Sequence, residues 1–225
     1  MAKDKKETYG IIGLGRFGAT LARALAESGQ DVLVIDSSEQ KIREARAYAT
    51  AAFVADSLSR ETLSQAGIAH CDVVVVCIGE KIDTSILTTL TVKQLGVPRV
   101  IAKAVSEDQG NVLTALGAEV VFPESDMAER LAKRLTTVNV LDYLTVSRDI
   151  EITELRLTPR IAGQTVAESG LRTRYGLNII ALITPAETTT DIRPNRKLAA
   201  GDVIIVIGKQ EGVRRFEHFL SEESK

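Results

Sequence analysis

Three glycines, a guanidinium and a carboxylate are the residues of this sequence whose spacing suggests chemistry. Gly13, Gly15 and Gly18, in the run Gly13-Leu14-Gly15-Arg16-Phe17-Gly18, fit G-x-G-x-x-G. After a strand and before a helix, the first two glycines let the backbone turn and approach a pyrophosphate, and the third lets helix pack on strand. Asp36 follows 18 residues beyond Gly18, where a carboxylate accepts hydrogen bonds from the ribose hydroxyls of an adenosine. The same charge repels a 2′-phosphate, which makes NADP the least expected ligand. Arg16 stands inside the loop. Its forked, permanently charged donors suit the terminal phosphate of a di- or triphosphate, and a solvated first-turn arginine is the plainer alternative. A glycine loop that serves packing alone is disfavoured by strand, helix and acid occurring together.

The elements that must position these residues alternate regularly. From Thr8 to Phe122, short β-branched runs alternate with helical patterns, the signature of a parallel sheet covered on both faces. Six strands are predicted: Tyr9–Ile12, Asp31–Ile35, Ala51–Val54, Val73–Ile78, Val100–Lys103 and Glu119–Phe122. The run of four valines at 73–76 suits a fully buried central strand. The first helix is predicted over Arg16–Ser28, with Phe17, Leu21, Ala24 and Leu25 on one face and Gly29 as its stop. A second starts after Ser37, with Gln40 at capping-box spacing. Asp83 is placed to cap a third, with Ile86, Leu87, Leu90 and Gln94 along its face and Gly96 and Pro98 ending it.

After Pro123 the rhythm changes. Ser125–Val138 is predicted as a linking helix that aligns Met127, Leu131, Leu135 and Val138. From Ile150 to Leu157 a two-residue alternation, broken by one slip, implies a sheet with one wet face. Strands at Leu177–Ile183 and Val203–Ile207 and a helix over Arg214–Leu220 follow. The expected organisation is a doubly wound parallel Rossmann-type α/β domain over residues 1–124, a helix and connector over 125–142, and a smaller α+β domain over 143–225.

Composition bounds the partners. With 28 basic against 30 acidic residues, bulk charge offers no reason to expect nucleic acid, and no basic recognition helix is evident. The amino terminus lacks a signal-peptide core and no run approaches the ~18 apolar residues of a membrane span, so a cytoplasmic location is expected. Cys71 and Cys77 flank one strand and, at roughly 3.3 Å per residue, lie too far apart to bond within it. They are expected to be reduced core thiols. His70 and His218 form no metal pattern with them. Neither histidine supplies a convincing proton donor or acceptor beside a nicotinamide, which weakens the alternatives of an NAD-dependent oxidoreductase or an NAD(H) sensor.

Read in order, Gly13-Leu-Gly-Arg-Phe-Gly18, Asp36, Cys77-Ile78-Gly79, Lys103-Ala104 and Pro123-Glu124-Ser-Asp-Met127 resemble the KtrA/KtrC subgroup of RCK (TrkA-type) proteins. Arg172–Ala181 and Ala199–Gly208 resemble their small carboxyl-terminal domain, RCK_C or TrkA_C. The resemblance implies a non-enzymatic regulatory subunit, active with ATP and inactive with ADP. It implies a homodimer assembling into an octameric ring beneath a membrane potassium-translocating subunit of KtrB/KtrD or TrkH type. Carried over by motif, the glycines with Phe17, Ile78 and Gly79 line the nucleotide, Asp36 holds the ribose, and Arg16 reaches the γ-phosphate. Asp56 and Lys103 lie near the adenosine and phosphates. Glu124 matches a glutamate that helps hold Mg²⁺ or another cation between nucleotides, an acid beside a helix start being equally explained by the helix dipole. Arg172, Asn178, Ile180 and Pro194 match positions that hold cyclic di-AMP in some relatives. Ala55-Asp56-Ser57-Leu58 departs from the relatives' pattern after the third strand.

Overall fold

The computed structural model describes residues 6–136 and 139–222. The chain divides into two compact units, Met1–Ser125 and Asp126–Lys225.

The first unit is a parallel sheet wound through helices. In chain order it runs β1 (Thr8–Ile12), α1 (Arg16–Glu27), β2 (Asp31–Asp36), α2 (Glu39–Ala45), β3 (Ala51–Val54), α3 (Arg60–Gln65), β4 (Val73–Val76), α4 (Ile82–Gln94), β5 (Arg99–Lys103), α5 (Glu107–Ala115) and β6 (Glu119–Val121). The strand order β3-β2-β1-β4-β5-β6 reverses direction of growth between β1 and β4. Such a switch point opens a crevice at the strands' carboxyl ends. All five pairings are parallel, and β4, whose valines are all buried, sits inside the sheet. Six strands form where expected, with β4 ending at Val76 rather than Ile78 and β6 at Val121 rather than Phe122. Ile78 and Gly79 thereby fall on the loop after the strand, beside the crevice.

Three helix details differ from expectation. In α1, Phe17, Leu21 and Leu25 pack against the core as expected, with Gly18 and Ala22 buried beside them, whereas Ala24 is exposed. Ser38, not Ser37, caps α2, its hydroxyl accepting from the Lys41 N–H, so no Ser37–Gln40 capping box forms. In α4, Ser85, Thr88, Thr89 and Val92 are the buried residues, while Leu87 and Gln94 are exposed and Asp83 sits in the first turn without capping it. This hydroxyl-rich face is tolerated because its polar groups are satisfied. Thr89 donates to the Ser85 carbonyl at 2.8 Å, and the Gln109 amide of α5 donates to the Ser85 hydroxyl at 3.2 Å.

The helix α6 (Pro123–Thr136) starts with proline in its first turn, where the missing N–H costs nothing. It begins two residues before the predicted start, and Val138 lies outside the described residues. Met127, Leu131 and Leu135 form an exposed stripe along it. The second unit continues with β7 (Val140–Thr145), β8 (Ile150–Arg156), α7 (Val166–Ser169), α8 (Leu171–Tyr175), β9 (Asn178–Ile183), β10 (Thr188–Thr189), β11 (Val203–Lys209) and α9 (Gln210–Ser221). Its sheet, β10-β9-β11-β8-β7, is antiparallel throughout. β7 enters this sheet from Val140, inside the stretch expected as connector. The alternation in β8 is present, but Glu151 and Thr153 join Leu155 on the buried side, the Thr153 hydroxyl donating to the Glu151 carboxylate at 3.0 Å. The core gathers Leu155, Leu182, Ile204 and Val206 of the sheet against Val213, Phe216 and Leu220 of α9. This last helix is longer than predicted at both ends.

Candidate nucleotide site

The phosphate loop is built by contacts only glycine permits at two of its positions. Gly13 takes φ +98°, the left-handed region, while its N–H donates to the Ile35 carbonyl at 2.8 Å. A Cβ on Gly18 would stand 2.0 Å from the Gly13 carbonyl oxygen and 3.1 Å from the Cys77 Cβ. Gly18 therefore brings α1 onto the loop and β4. Gly15 is different: a Cβ there would meet nothing within 4 Å, and the residue is exposed at the head of α1. The surface beside Gly15 is open to a ligand. The first turn of α1 has no side-chain cap and no acidic residue, so its N–H groups and positive dipole end face outward.

Asp36 ends β2 within this crevice. One carboxylate oxygen accepts the Leu14 N–H at 2.6 Å and the other the Ser38 N–H at 2.8 Å. Lys41, one turn into α2, places its Nζ 3.6 Å from the first of these oxygens. The carboxylate, 10% exposed, keeps lone pairs for further donors. It thus ties the glycine loop to the start of α2. Val54 of β3 lies in register with Asp36, and Asp56 follows two residues later, exposed on the loop to α3. Arg16 is exposed and makes no ion pair among the described residues. Phe17 is half-buried and packs with the core under α1.

Lys103 and Glu124 form a second polar group at the ends of β5 and β6. Their ion pair buries the Lys103 side chain to 12% exposure while Glu124 stays open. The hydrogen bond from Lys103 holds the Glu124 carboxyl below the usual range. Lys103 Nζ also stands 3.3 Å from where a Cβ of Gly79 would be, so Gly79 makes room for it. Glu124 is accordingly engaged by an ammonium, and no group of three or more metal-ligating side chains occurs among the described residues.

Cys77 lies directly beneath the loop. It and Cys71 are free and buried, as expected, and burial pushes their thiols up to about 12 and about 11 respectively. His70 ends a short 3-10 turn before β4, at the far end of the sheet from the crevice, and His218 is exposed on α9.

In the second unit Arg172 lies on α8, Asn178 and Ile180 on β9, and Pro194 on the loop between β10 and β11, all four exposed. The pairing of β9 with β11 slips between Ile205 and Val206, leaving Ile180 as the extra residue of a bulge. The Pro194 carbonyl accepts the Ala167 N–H. A cavity of about 400 Å³ opens beside Pro194, lined by its neighbours Arg193 and Asn195 with Glu187, Asp191, Arg196 and Lys197, and not by the four residues themselves.

Sequence reasoning missed the backbone donors on Asp36 and the ammonium of Lys41. The spacing from Asp36 to Lys41, with a serine cap between, was the available signal.

Fold and site together define a two-domain protein, with a Rossmann nucleotide-binding unit followed by a small antiparallel α+β unit. The TrkA-N domain matches residues 9–124 and the TrkA-C domain residues 152–221, and the chain belongs to the TrkA family. It is 38% identical over 213 residues to the Ktr system potassium uptake protein C of Bacillus subtilis (strain 168), covering 94% of this chain and 96% of that protein. The GsuK RCK domain shares the fold with a TM-score of 0.68 at 22% identity, covering 100% of this chain and 50% of that one. GsuK bound to ADP superimposes with a TM-score of 0.50 at 30% identity, over 58% of this chain and 34% of that one.

Proposed function

We propose that this chain is the regulatory, non-enzymatic subunit of a Ktr/Trk-type potassium-uptake system, and that its first unit senses ATP and ADP. The observation that carries this is a near end-to-end match to a Ktr potassium-uptake protein, 38% identical over 94% of the chain. The site supports the ligand class: Gly15 leaves the loop open, α1 presents uncapped N–H groups, and Asp36 holds a carboxylate at the ribose position. GsuK, 30% identical over the matched region, has been solved with ADP bound.

Arg16 is the γ-phosphate sensor in this account, its exposed guanidinium reaching a nucleotide on its own chain or on a neighbouring copy. Asp56, Ile78, Gly79 and Lys103 complete the lining. Lys103, drawn toward phosphate, would release Glu124 to a bridging Mg²⁺ or other cation. Copies pair and assemble into an octameric ring on the cytoplasmic side of a KtrB/KtrD- or TrkH-type subunit. Shifting such a ring from 1:99 to 99:1 requires a state preference of about 5.5 kcal/mol. Several charge-assisted bonds from Arg16 side chains, summed over the ring, are of that size. The second unit binds cyclic di-AMP through Arg172, Asn178, Ile180 and Pro194.

Calorimetric titration of the full chain with ATP, ADP, NAD, NADH and cyclic di-AMP, alongside native mass measurement, tests the assignment. ATP and ADP are expected to bind, and an octamer to be seen. Tight NADH binding without ATP binding would overturn the sensor.

A further inference from the structure

Lys41 faces the Asp36 carboxylate from the first turn of α2. Its ammonium lies 3.6 Å from the Asp36 oxygen that also accepts the Leu14 N–H. Ser38 fixes this placement, because the Ser38 hydroxyl accepts the Lys41 N–H while the Ser38 N–H donates to the other Asp36 oxygen. Lys41 is thus held at the pocket by the cap of its own helix. The pocket otherwise carries negative charge, Asp36 itself and the exposed Asp56 beyond β3. In this fold class the acid beyond the glycine loop bonds the ribose 2′ hydroxyl, and a basic residue near it is what accommodates a 2′-phosphate.

We infer that Lys41 is a specificity-determining residue of the ribose pocket, setting how strongly the pocket rejects a ribose carrying a 2′-phosphate. This deepens the nucleotide-binding assignment above and rests on it. Asp36 supplies the repulsion, and Lys41 offsets part of it. A 2′-phosphate accepted on the ribose hydroxyl side of Asp36 would meet the carboxylate and the ammonium together. Removing the ammonium leaves the repulsion bare, and removing the carboxylate leaves Lys41 and the Ser38 N–H as donors free to meet the phosphate.

The experiment is calorimetric titration of the full chain with ADP and with its 2′-phosphorylated counterpart, the readout being the ratio of the two affinities within each variant. Lys41→Met is expected to raise the preference for ADP by roughly tenfold at low salt, an effect that shrinks as salt rises because Lys41 is half exposed. Lys41→Arg is expected to keep the wild-type ratio. Asp36→Ser is expected to bring the 2′-phosphorylated ligand to affinity equal to or above ADP, and the double variant Asp36→Ser/Lys41→Met to lose that gain. An unchanged ratio in Lys41→Met, or a double variant that binds like Asp36→Ser, would overturn the inference. Should wild type bind neither ligand, the nucleotide site itself fails, a result distinct from a ratio that ignores Lys41. Lys41→Gln gives the same test if the methionine variant does not fold.

Discussion

Two alanine substitutions in one loop should have opposite signatures, because Gly18 and Gly15 differ in what surrounds them. A methyl group at position 18 would lie 2.0 Å from the Gly13 carbonyl oxygen and 3.1 Å from Cys77, so α1 must move off the loop by about the difference to a normal contact. Overpacking of this kind costs about 1–3 kcal/mol. Gly15 has φ −68° and open space, so alanine fits its backbone. There the loss of a good helix cap, several tenths of a kcal/mol, is offset by roughly 0.4–1 kcal/mol from a stiffer unfolded chain. Urea unfolding of Gly18→Ala without nucleotide should show the full loss, and Gly15→Ala should match wild type within about 1 kcal/mol. Nucleotide at 100 times its dissociation constant stabilises wild type by about 2.7 kcal/mol. Gly15→Ala should lose that increment, because its methyl group occupies the surface the phosphates approach. A Gly18→Ala protein as stable as wild type, or a Gly15→Ala protein that keeps the increment, would refute the division of labour within the loop.

Further outcomes follow from the same contacts. Glu124 is held below the ordinary glutamate range by Lys103, so the pair's stabilisation is present above about pH 4.5 and lost as pH falls through the lowered value. Lys103→Met should therefore be less stable than wild type at pH 7, by under about 1 kcal/mol for the ion pair after solvent screening. The gap should narrow in urea unfolding under acid, and a gap independent of pH would assign Lys103 to packing instead. With thiols raised to about 11 and 12, Cys71 and Cys77 should react with a thiol reagent at pH 8 only as fast as the first unit opens, and nucleotide should slow the reaction further. Labelling at free-thiol rates would contradict their burial. In the second unit, a Cβ on Gly212 would stand 2.2 Å from the Tyr175 carbonyl oxygen, so Gly212→Ala should destabilise that unit by about 1–3 kcal/mol. Urea unfolding followed by amide hydrogen exchange in α8 and α9 checks this, and wild-type protection there would count against the close approach of α9 to α8.

Much of the first unit could be read from the sequence because its signals are local. The valine run of β4, the glycines of the loop and the acid ending β2 each lie within one or two neighbouring elements. The inner face of α4 could not be read that way. Ile86, Leu87 and Leu90 supply the hydrophobic period, yet Ser85, Thr88 and Thr89 are buried, the Thr89 hydroxyl finding its partner in the helix itself and the Ser85 hydroxyl on Gln109. A pattern of apolar residues cannot register hydrogen bonds to another helix. β7 was missed for a related reason: Val140–Thr145 becomes a strand by pairing with β8. In the site, glycine loop and Asp36 were legible, whereas Lys103 and Glu124 are 21 residues apart and only the parallel neighbours β5 and β6 make them a pair. Ser37 and Ser38 are adjacent equivalents in composition, and backbone geometry chose the second as cap.

The proposed function requires this chain to convert nucleotide identity into control of potassium uptake. Potassium flux into vesicles holding a KtrB-type translocating subunit with the full chain, measured in ATP and in ADP, tests it most directly. Flux should be higher with ATP than with ADP, and Arg16→Ala should remove the difference. Equal flux with the two nucleotides in wild type, or a difference that survives Arg16→Ala, would contradict the account.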